Sequence, residues 1–193
     1  MLIMNKQAGG SRLYWSVIAF GDSHMHIAET ERGLCYAGAL GETFDEMAER
    51  CTRRFGRIEW IRDDERMKRY GSELAEYAGG SRSLFDGKLD LRGTPFQLRV
   101  WKALLDIPFG ETRSYADIAK AIDSPSAVRA AGSAIGANPV LVFVPCHRVI
   151  GKNGSLAGYR GGLPMKKLLL DLELEDREVP SRTGVHLATG SSR

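Results

Sequence analysis

The chain has 193 residues, 43% of them hydrophobic and 26% charged, with a formal net charge of +3. This is the composition of a soluble globular protein, and it excludes a disordered or collagen-like chain. No stretch approaches the roughly 18 consecutive apolar residues of a membrane helix, and residues 1–7 lack the basic-then-apolar order of a signal peptide, so a cytoplasmic location is expected, or the nucleus in a eukaryote.

The length suits one full core or two small domains packed together. Charge is spread unevenly: residues 1–90 carry 13 basic and 15 acidic residues, a net −2, whereas residues 91–170 carry 11 and 4, a net +7. A polyanion would meet the middle segment. The cysteines, Cys35, Cys51 and Cys146, are odd in number and widely spaced, so free thiols are expected rather than a disulfide framework.

Residues 13–20, 25–30 and 33–38 are β-prone runs separated by turn residues and predict a small antiparallel meander. Residues 43–55 and 66–78 follow with helical spacing of Phe44, Met47, Ala48, Cys51 and Phe55, and of Met67, Tyr70, Leu74 and Tyr77. Residues 1–90 therefore read as an N-terminal α/β domain, closed by the flexible Gly79-Gly80-Ser81-Arg82-Ser83.

In the second domain, residues 91–175, Thr94 can cap a helix, Pro95 takes its first position and Gln97 closes a capping box. That helix should reach about Leu105 and bury Phe96, Val100, Trp101 and Leu104. Ser114 and Asp117 open a second helix to about Ile122, and Asp123-Ser124-Pro125 ends it and starts a third over 125–137. Two short helices across a three- or four-residue turn make a helix-turn-helix. Asn138-Pro139 stops the third helix, because the residue before proline is pushed out of the α region. Residues 140–144, Val-Leu-Val-Phe-Val, predict a buried strand that delivers Cys146 at its end. A glycine-rich loop then leads to Pro164 and an amphipathic helix to about Glu173. Residues 176–193 are polar and expected to be disordered.

Cys146, in Val144-Pro145-Cys146-His147-Arg148, is the candidate nucleophile. A thiol attacks as the thiolate, and at its ordinary pKa of about 8.5 it is mostly protonated at neutral pH, so it needs a base. His147 is adjacent, but neighbours on an extended chain point apart, and contact requires a turn or a bridging water. Asp171 and Glu173 on the closing helix are the two candidate acids for a Cys-His-acid relay.

Residues 144–150 resemble the active-site signature of the O6-alkylguanine-DNA alkyltransferases. Phe96 to Trp101, Ile107-Pro108-Phe109-Gly110-Glu111-Thr112, Ser114-Tyr115, Ala127-Val128-Arg129-Ala130, Asn138-Pro139 and Gly158-Tyr159-Arg160-Gly161-Gly162 also stand in that family's order and spacing. Residues 1–90 resemble the family in architecture only.

The resemblance implies an α/β (α+β) protein: a ribonuclease-H-like N-terminal domain, then a mostly helical domain with a helix-turn-helix of winged-helix type. It implies DNA repair by direct, stoichiometric and irreversible transfer of an alkyl group from O6-alkylguanine, and O4-alkylthymine, to Cys146. His147 would be the base, acting through water, with Glu173 orienting it; Asp171 matches no such family position. Tyr115 would contact the flipped guanine, and Arg129 would replace the extruded base in the stack. Ala127, Ala130, Ala131, Gly132 and Ser133 are small enough to let the third helix lie against DNA in the minor groove, and some of them can equally serve helix packing. Asn138 would bond turn backbone. Val149, Tyr159 and Arg160 would shape the guanine pocket, with Arg160 at its lip and the carbonyls of Cys146 and Val149 accepting from the exocyclic amine.

The implied partner is double-stranded DNA, bound by a monomer, with no membrane and no cofactor; cooperativity on DNA and the tolerated alkyl size stay open. His24, His26, Cys35 and Cys51 lack a metal-ligand spacing, so no metal is expected. Three other readings compete. A non-repairing binder of alkylated DNA would lack the cysteine. A transcription regulator would want a polar recognition helix. A cysteine hydrolase would want a distant histidine.

Overall fold

The structure, a computed structural model, describes residues 10–178. Of the segment expected to be disordered, residues 176–178 are instead helical, continuing the last helix, and the remainder lies outside the described residues. The architecture is mixed α+β: a four-stranded sheet with helices on both faces.

Strands β1 (Ser11–Phe20), β2 (Ser23–Thr30) and β3 (Gly33–Leu40) form the expected antiparallel meander. Along β1 the side chains alternate, as strand geometry requires. Leu13 and Trp15 join a cluster with helix α1 (Phe44–Phe55), and Tyr14, Ile18 and Phe20 join a larger cluster on the opposite face. Helix α1 starts at a capping box between Thr43 and Glu46 and buries Met47, Cys51 and Phe55. It carries the chain across to β4 (Ile58–Arg62), which pairs parallel with β1 and gives the sheet order β3-β2-β1-β4. The sequence pattern missed β4 because none of its five residues is fully buried, so its hydrophobic alternation is weak. Helix α2 (Asp64–Ala78) begins two residues before the expected start, where the Asp63 side chain accepts from the Arg66 amide at 2.9 Å.

The larger cluster runs without interruption from the sheet and α2 into the second half of the chain. Backbone bonds cross the same seam: the Ala37 amide donates to Pro139 O at 3.0 Å, and the Leu141 amide donates to Ala37 O at 3.0 Å. Helix α3 (Pro95–Leu105) forms with the expected Thr94–Gln97 capping box and buries Val100, Trp101 and Leu104, while Phe96 is half-buried. Trp101 is fully buried and its indole donates to Ala134 O at 2.8 Å. Truncating such a residue to alanine costs about 3–5 kcal/mol.

The two-residue strand β5 (Arg113–Ser114) precedes helix α4 (Tyr115–Ala121), capped by Ser114 and Asp117 as expected. Helix α5 begins later than the sequence suggests, spanning Val128–Gly136. Asp123 adopts a left-handed φ of 54°, and the Ala127 amide bonds Ser124 O, so residues 124–127 form a turn of their own. The connection between the two helices is thus six residues long.

Residues 140–144 are buried, but they are not the expected strand. They wind through turns, with Val142 at φ 71°, a region that β-branched residues seldom adopt. Local strand propensity is overridden here by Asn138, whose side chain bonds Val140 N, Val140 O and Val144 O and so closes the turn. A 3₁₀ turn, Cys146–Arg148, follows, then β6 (Val149–Ile150), parallel to β5, and finally helix α6 (Gly162–Glu178).

Candidate active site

Cys146 opens the 3₁₀ turn and is 3% exposed. Its sulfur accepts a 3.0 Å hydrogen bond from Asn138 Nδ2. Chemistry fixes that amide's orientation: the Val140 N–H can only donate, so the atom facing it at 2.9 Å is Oδ1, and Nδ2 turns to the sulfur and to Val144 O. Burial pushes the Cys146 thiol up, while the Asn138 bond, Arg160 and Lys166 pull it down less strongly. The resting group is therefore a thiol, and those donors stabilise the anion once its proton leaves.

His147, fully buried, lies with its Nε2 2.8 Å from Glu173 Oε1. Glu173 is the most heavily bonded side chain of the site. Arg148 donates to both its oxygens at 2.8–3.0 Å, Tyr77 donates at 2.7 Å and the Gly110 amide at 2.9 Å. Burial alone would raise the carboxyl, but the bonds from His147 and Arg148 outweigh it and hold Glu173 at about 2. An ionised carboxylate only accepts, so the proton of a neutral His147 sits on Nε2. Burial lowers the imidazole against the opposing pull of Glu173, keeping it neutral. Nδ1 then carries the lone pair and has no hydrogen-bond partner among the described residues. Cys146 and His147 share a 3₁₀ turn in place of the extended chain on which neighbours point apart.

Of the two candidate acids, Asp171 pairs with Lys167 at 2.5 Å on the exposed face of α6, and Glu173 takes the histidine.

An open groove of about 710 Å³ is bordered by Tyr115, Arg129, Gly132, Ser133, Tyr159 and Arg160. The Tyr115 phenol donates to Ala157 O at 2.6 Å. Burial and then the nearby Cys146 push both Tyr115 and Tyr159 up, so both phenols stay protonated at neutral pH. Tyr159 packs so closely that a Cβ added at Gly161 would lie 2.6 Å from its ring. On α5, Arg129, Ala130 and Ser133 are exposed and Gly132 is half-buried, as is its N-cap Ala127. Ala131 departs from the expected contact face: it is fully buried and its methyl packs inward.

Arg160 also departs from expectation. It borders the groove, but its guanidinium is strapped to the first half of the chain, donating to Ala37 O at 2.7 Å, Asn138 O at 2.9 Å and the Tyr36 hydroxyl at 3.1 Å. It is a tie across the seam, not a free charge at a lip. The carbonyls of Cys146 and Val149 each already accept one bond, from the Val149 amide and from Lys166 Nζ at 2.6 Å, and each keeps a second lone pair.

Tyr77, Arg148, Lys166 and the Gly110 amide were not anticipated. Arg148 lies in the motif of residues 144–148, where the sequence alone gives it no role. Lys166 shares a face of α6 with Leu169 and Glu173 at spacings of three and seven, a signal that it points inward. Fully buried, it also donates to Ala157 O at 2.9 Å. Among the described residues, no three His, Cys, Asp or Glu side chains cluster as metal ligands would, and no helix is long and apolar enough to cross a membrane.

A buried thiol held by an amide donor, followed in the chain by an imidazole bonded to a carboxylate, is the arrangement of a protein built around a buried cysteine. Residues 95–175 match the family model described as 6-O-methylguanine DNA methyltransferase, DNA binding domain. The chain is 52% identical over 161 residues to the inducible methylated-DNA–protein-cysteine methyltransferase of Bacillus subtilis strain 168, covering 83% of this chain and 90% of that one. The crystal structure of Mycobacterium tuberculosis O6-methylguanine methyltransferase superposes with a TM-score of 0.75 at 40% identity, over 88% of this chain and 96% of the other. A second Mycobacterium tuberculosis structure, solved in complex with DNA, superposes with a TM-score of 0.70 at 39% identity, over 86% and 94%. The chain belongs to the methylated-DNA–protein-cysteine methyltransferase family.

Proposed function

We propose that this protein repairs DNA by moving the alkyl group of O6-alkylguanine, and of O4-alkylthymine, onto Cys146, once per molecule. The observation that carries the reading is the Cys146 thiol, hydrogen-bonded by Asn138 and set beside a neutral His147 whose Nε2 is committed to Glu173. The thiol proton passes through water to His147 Nδ1, and sulfur attacks the alkyl carbon. The carbon–O6 bond breaks, its electron pair stays on guanine, and guanine takes up one proton to become the normal base. The product is a thioether, which water does not readily cleave, so the protein is consumed.

The partner is double-stranded DNA, met by a monomer. Helix α5 lies in the minor groove through Ala127, Ala130, Gly132 and Ser133, and Arg129 fills the stack where the damaged nucleotide flips out, an extrusion costing a few kcal/mol. Tyr115 donates to the flipped base, and Val149, Tyr159 and the stem of Arg160 shape its pocket. The small side chains of α5 support this, because they allow close approach and offer no base readout, as repair at any sequence requires. Helices α4 and α5 act as a helix-turn-helix of winged-helix type within residues 91–175. Residues 1–90, with sheet order β3-β2-β1-β4, are of ribonuclease-H-like type. The work is done where DNA is held, in the cytoplasm or a eukaryotic nucleus.

The test is intact mass after incubation with an oligonucleotide bearing O6-methylguanine. One added methyl is expected, absent in Cys146→Ser. Tight binding without a mass change would instead favour a non-repairing binder, and turnover beyond one equivalent would contradict the single-use chemistry.

A further inference from the structure

We propose that a cleft between α1 and the start of α3 is a second phosphate-binding surface, gripping the duplex backbone that flanks the lesion; this rests on DNA being the substrate. The cleft encloses about 640 Å³, and Arg50, Arg53, Arg54, Arg92 and Arg160 line it with no acidic side chain among its lining residues. Its position comes from the fold. Residues 1–90 are net negative, yet the last turns of α1 concentrate arginine, and α1 packs so that Arg54 donates to Ala137 O at 2.6 Å, just past α5.

The positive charge is incompletely neutralised. Glu42 serves two arginines, Arg50 at 2.9 Å and Arg160 at 3.8 Å. Asp90 is likewise shared, 3.5 Å from both Arg92 and Arg32. Arg53 pairs with Glu49, but both side chains are about two-thirds exposed, and such a pair is readily exchanged for another anion. Arg54 has no carboxylate partner among the described residues. Thr94 and Gln97 bring the N-terminal end of α3 to the same cleft, and that helix has no acidic residue in its first turn, so its dipole adds positive potential.

The occupant follows from continuity. Arg50, Gly136 and Arg160 border both this cleft and the groove that holds Tyr115 and Arg129. A strand leaving the groove along α5 therefore arrives at guanidinium forks, whose geometry suits phosphate oxygens. Contacts to phosphate carry no sequence information, which matches a lesion that can occur anywhere.

The experiment measures duplex affinity against salt, from about 50 to 200 mM, for Arg53→Gln/Arg92→Gln beside the parent, both carrying Cys146→Ser so that the lesion persists. Both arginines keep partly exposed side chains, and an unchanged melting temperature verifies the fold. Losing two phosphate contacts should flatten the slope of log K on log salt by about 2 and weaken binding about tenfold or more. Glu49→Gln, which frees Arg53, should tighten binding. Unchanged slope and affinity in the double variant overturn the proposal, as does a variant that instead loses self-association or binding to an acidic polypeptide. Failure of the parent itself to bind alkylated duplex would be failure of the functional reading, and is seen before any variant is compared.

Discussion

Tyr77 on α2 donates a 2.7 Å hydrogen bond to Glu173 on α6, 96 positions further along the chain, and its oxygen stands 3.5 Å from His147 Nε2. The first half of the protein thus reaches the buried His147–Glu173 pair. All three groups are buried, and the acceptor is a carboxylate, so the bond is of the strong, charge-assisted kind.

Tyr77→Phe removes that donor with little change of shape. Stability should fall by about 2 kcal/mol, the usual scale for a bond to a charged group. The alkyl-transfer rate should fall by less than the roughly 100-fold expected for loss of a general base, because His147 and Arg148 still hold Glu173. With one donor gone, Glu173 supports the imidazolium better, so His147 protonates more easily and the acid limb of the rate profile moves to higher pH. A variant that loses stability with no movement of that limb would reduce Tyr77 to a packing role. Chemical denaturation and single-turnover transfer across pH provide both readings.

His147 must be neutral to accept the thiol proton. Burial lowers its pKa from the ordinary 6.5, and Glu173 opposes that shift without cancelling it. As pH falls, transfer should therefore hold through 6.5 and decline only below it. A rate already halved above pH 6.5 would show that the imidazole is not held neutral by its surroundings.

Several parts of this site are legible in the sequence. The Thr94–Gln97 and Ser114–Asp117 boxes are local chemistry, and each formed where its spacing placed it. Met67, Tyr70, Leu74 and Tyr77 stand at helical spacing, and all four side chains are buried on α2. What stayed hidden depends on distant partners. Nothing near Tyr77 says that its hydroxyl meets a carboxylate on the last helix. Residues 140–144 look like a strand to any local rule, and only the Asn138 side chain bends them into a turn. The late start of α5 likewise follows from a turn that Ser124 and Ala127 close between themselves.

Glu173 also ties the site to acid stability. Its carboxyl is held at about 2 in the folded protein against an ordinary 4.5, and it is 1% exposed. A group lowered by folding contributes stability that is complete above its unfolded value and disappears as pH falls through the folded one. That contribution is on the order of 3 kcal/mol. Between pH 4.5 and 2 the protein should therefore lose stability steeply, and Glu173→Gln should be weaker at pH 7 but flatter over that interval. Equal slopes for the two proteins in urea titrations across this range would refute the assignment.

Arg160 is the side chain whose loss should reach both halves of the chain together. Its guanidinium satisfies Ala37 O from β3, and Asn138 O and Pro139 O from the start of the active-site turn, with its side chain only 9% exposed. Arg160→Met keeps the apolar stem but takes from Asn138 O its donor and from Ala37 O and Pro139 O the second of two, and should cost about 2–4 kcal/mol. Arg160→Lys keeps the charge but lacks the planar fork that serves several acceptors at once, so it should recover only part of that loss. Because Arg160 Nε bonds Asn138 O at 2.9 Å, and the Asn138 amide holds the Cys146 sulfur at 3.0 Å, transfer should slow in Arg160→Met even on DNA at saturating concentration. A variant that melts lower yet transfers at the parental rate would separate the strap from the thiol and confine Arg160 to the seam.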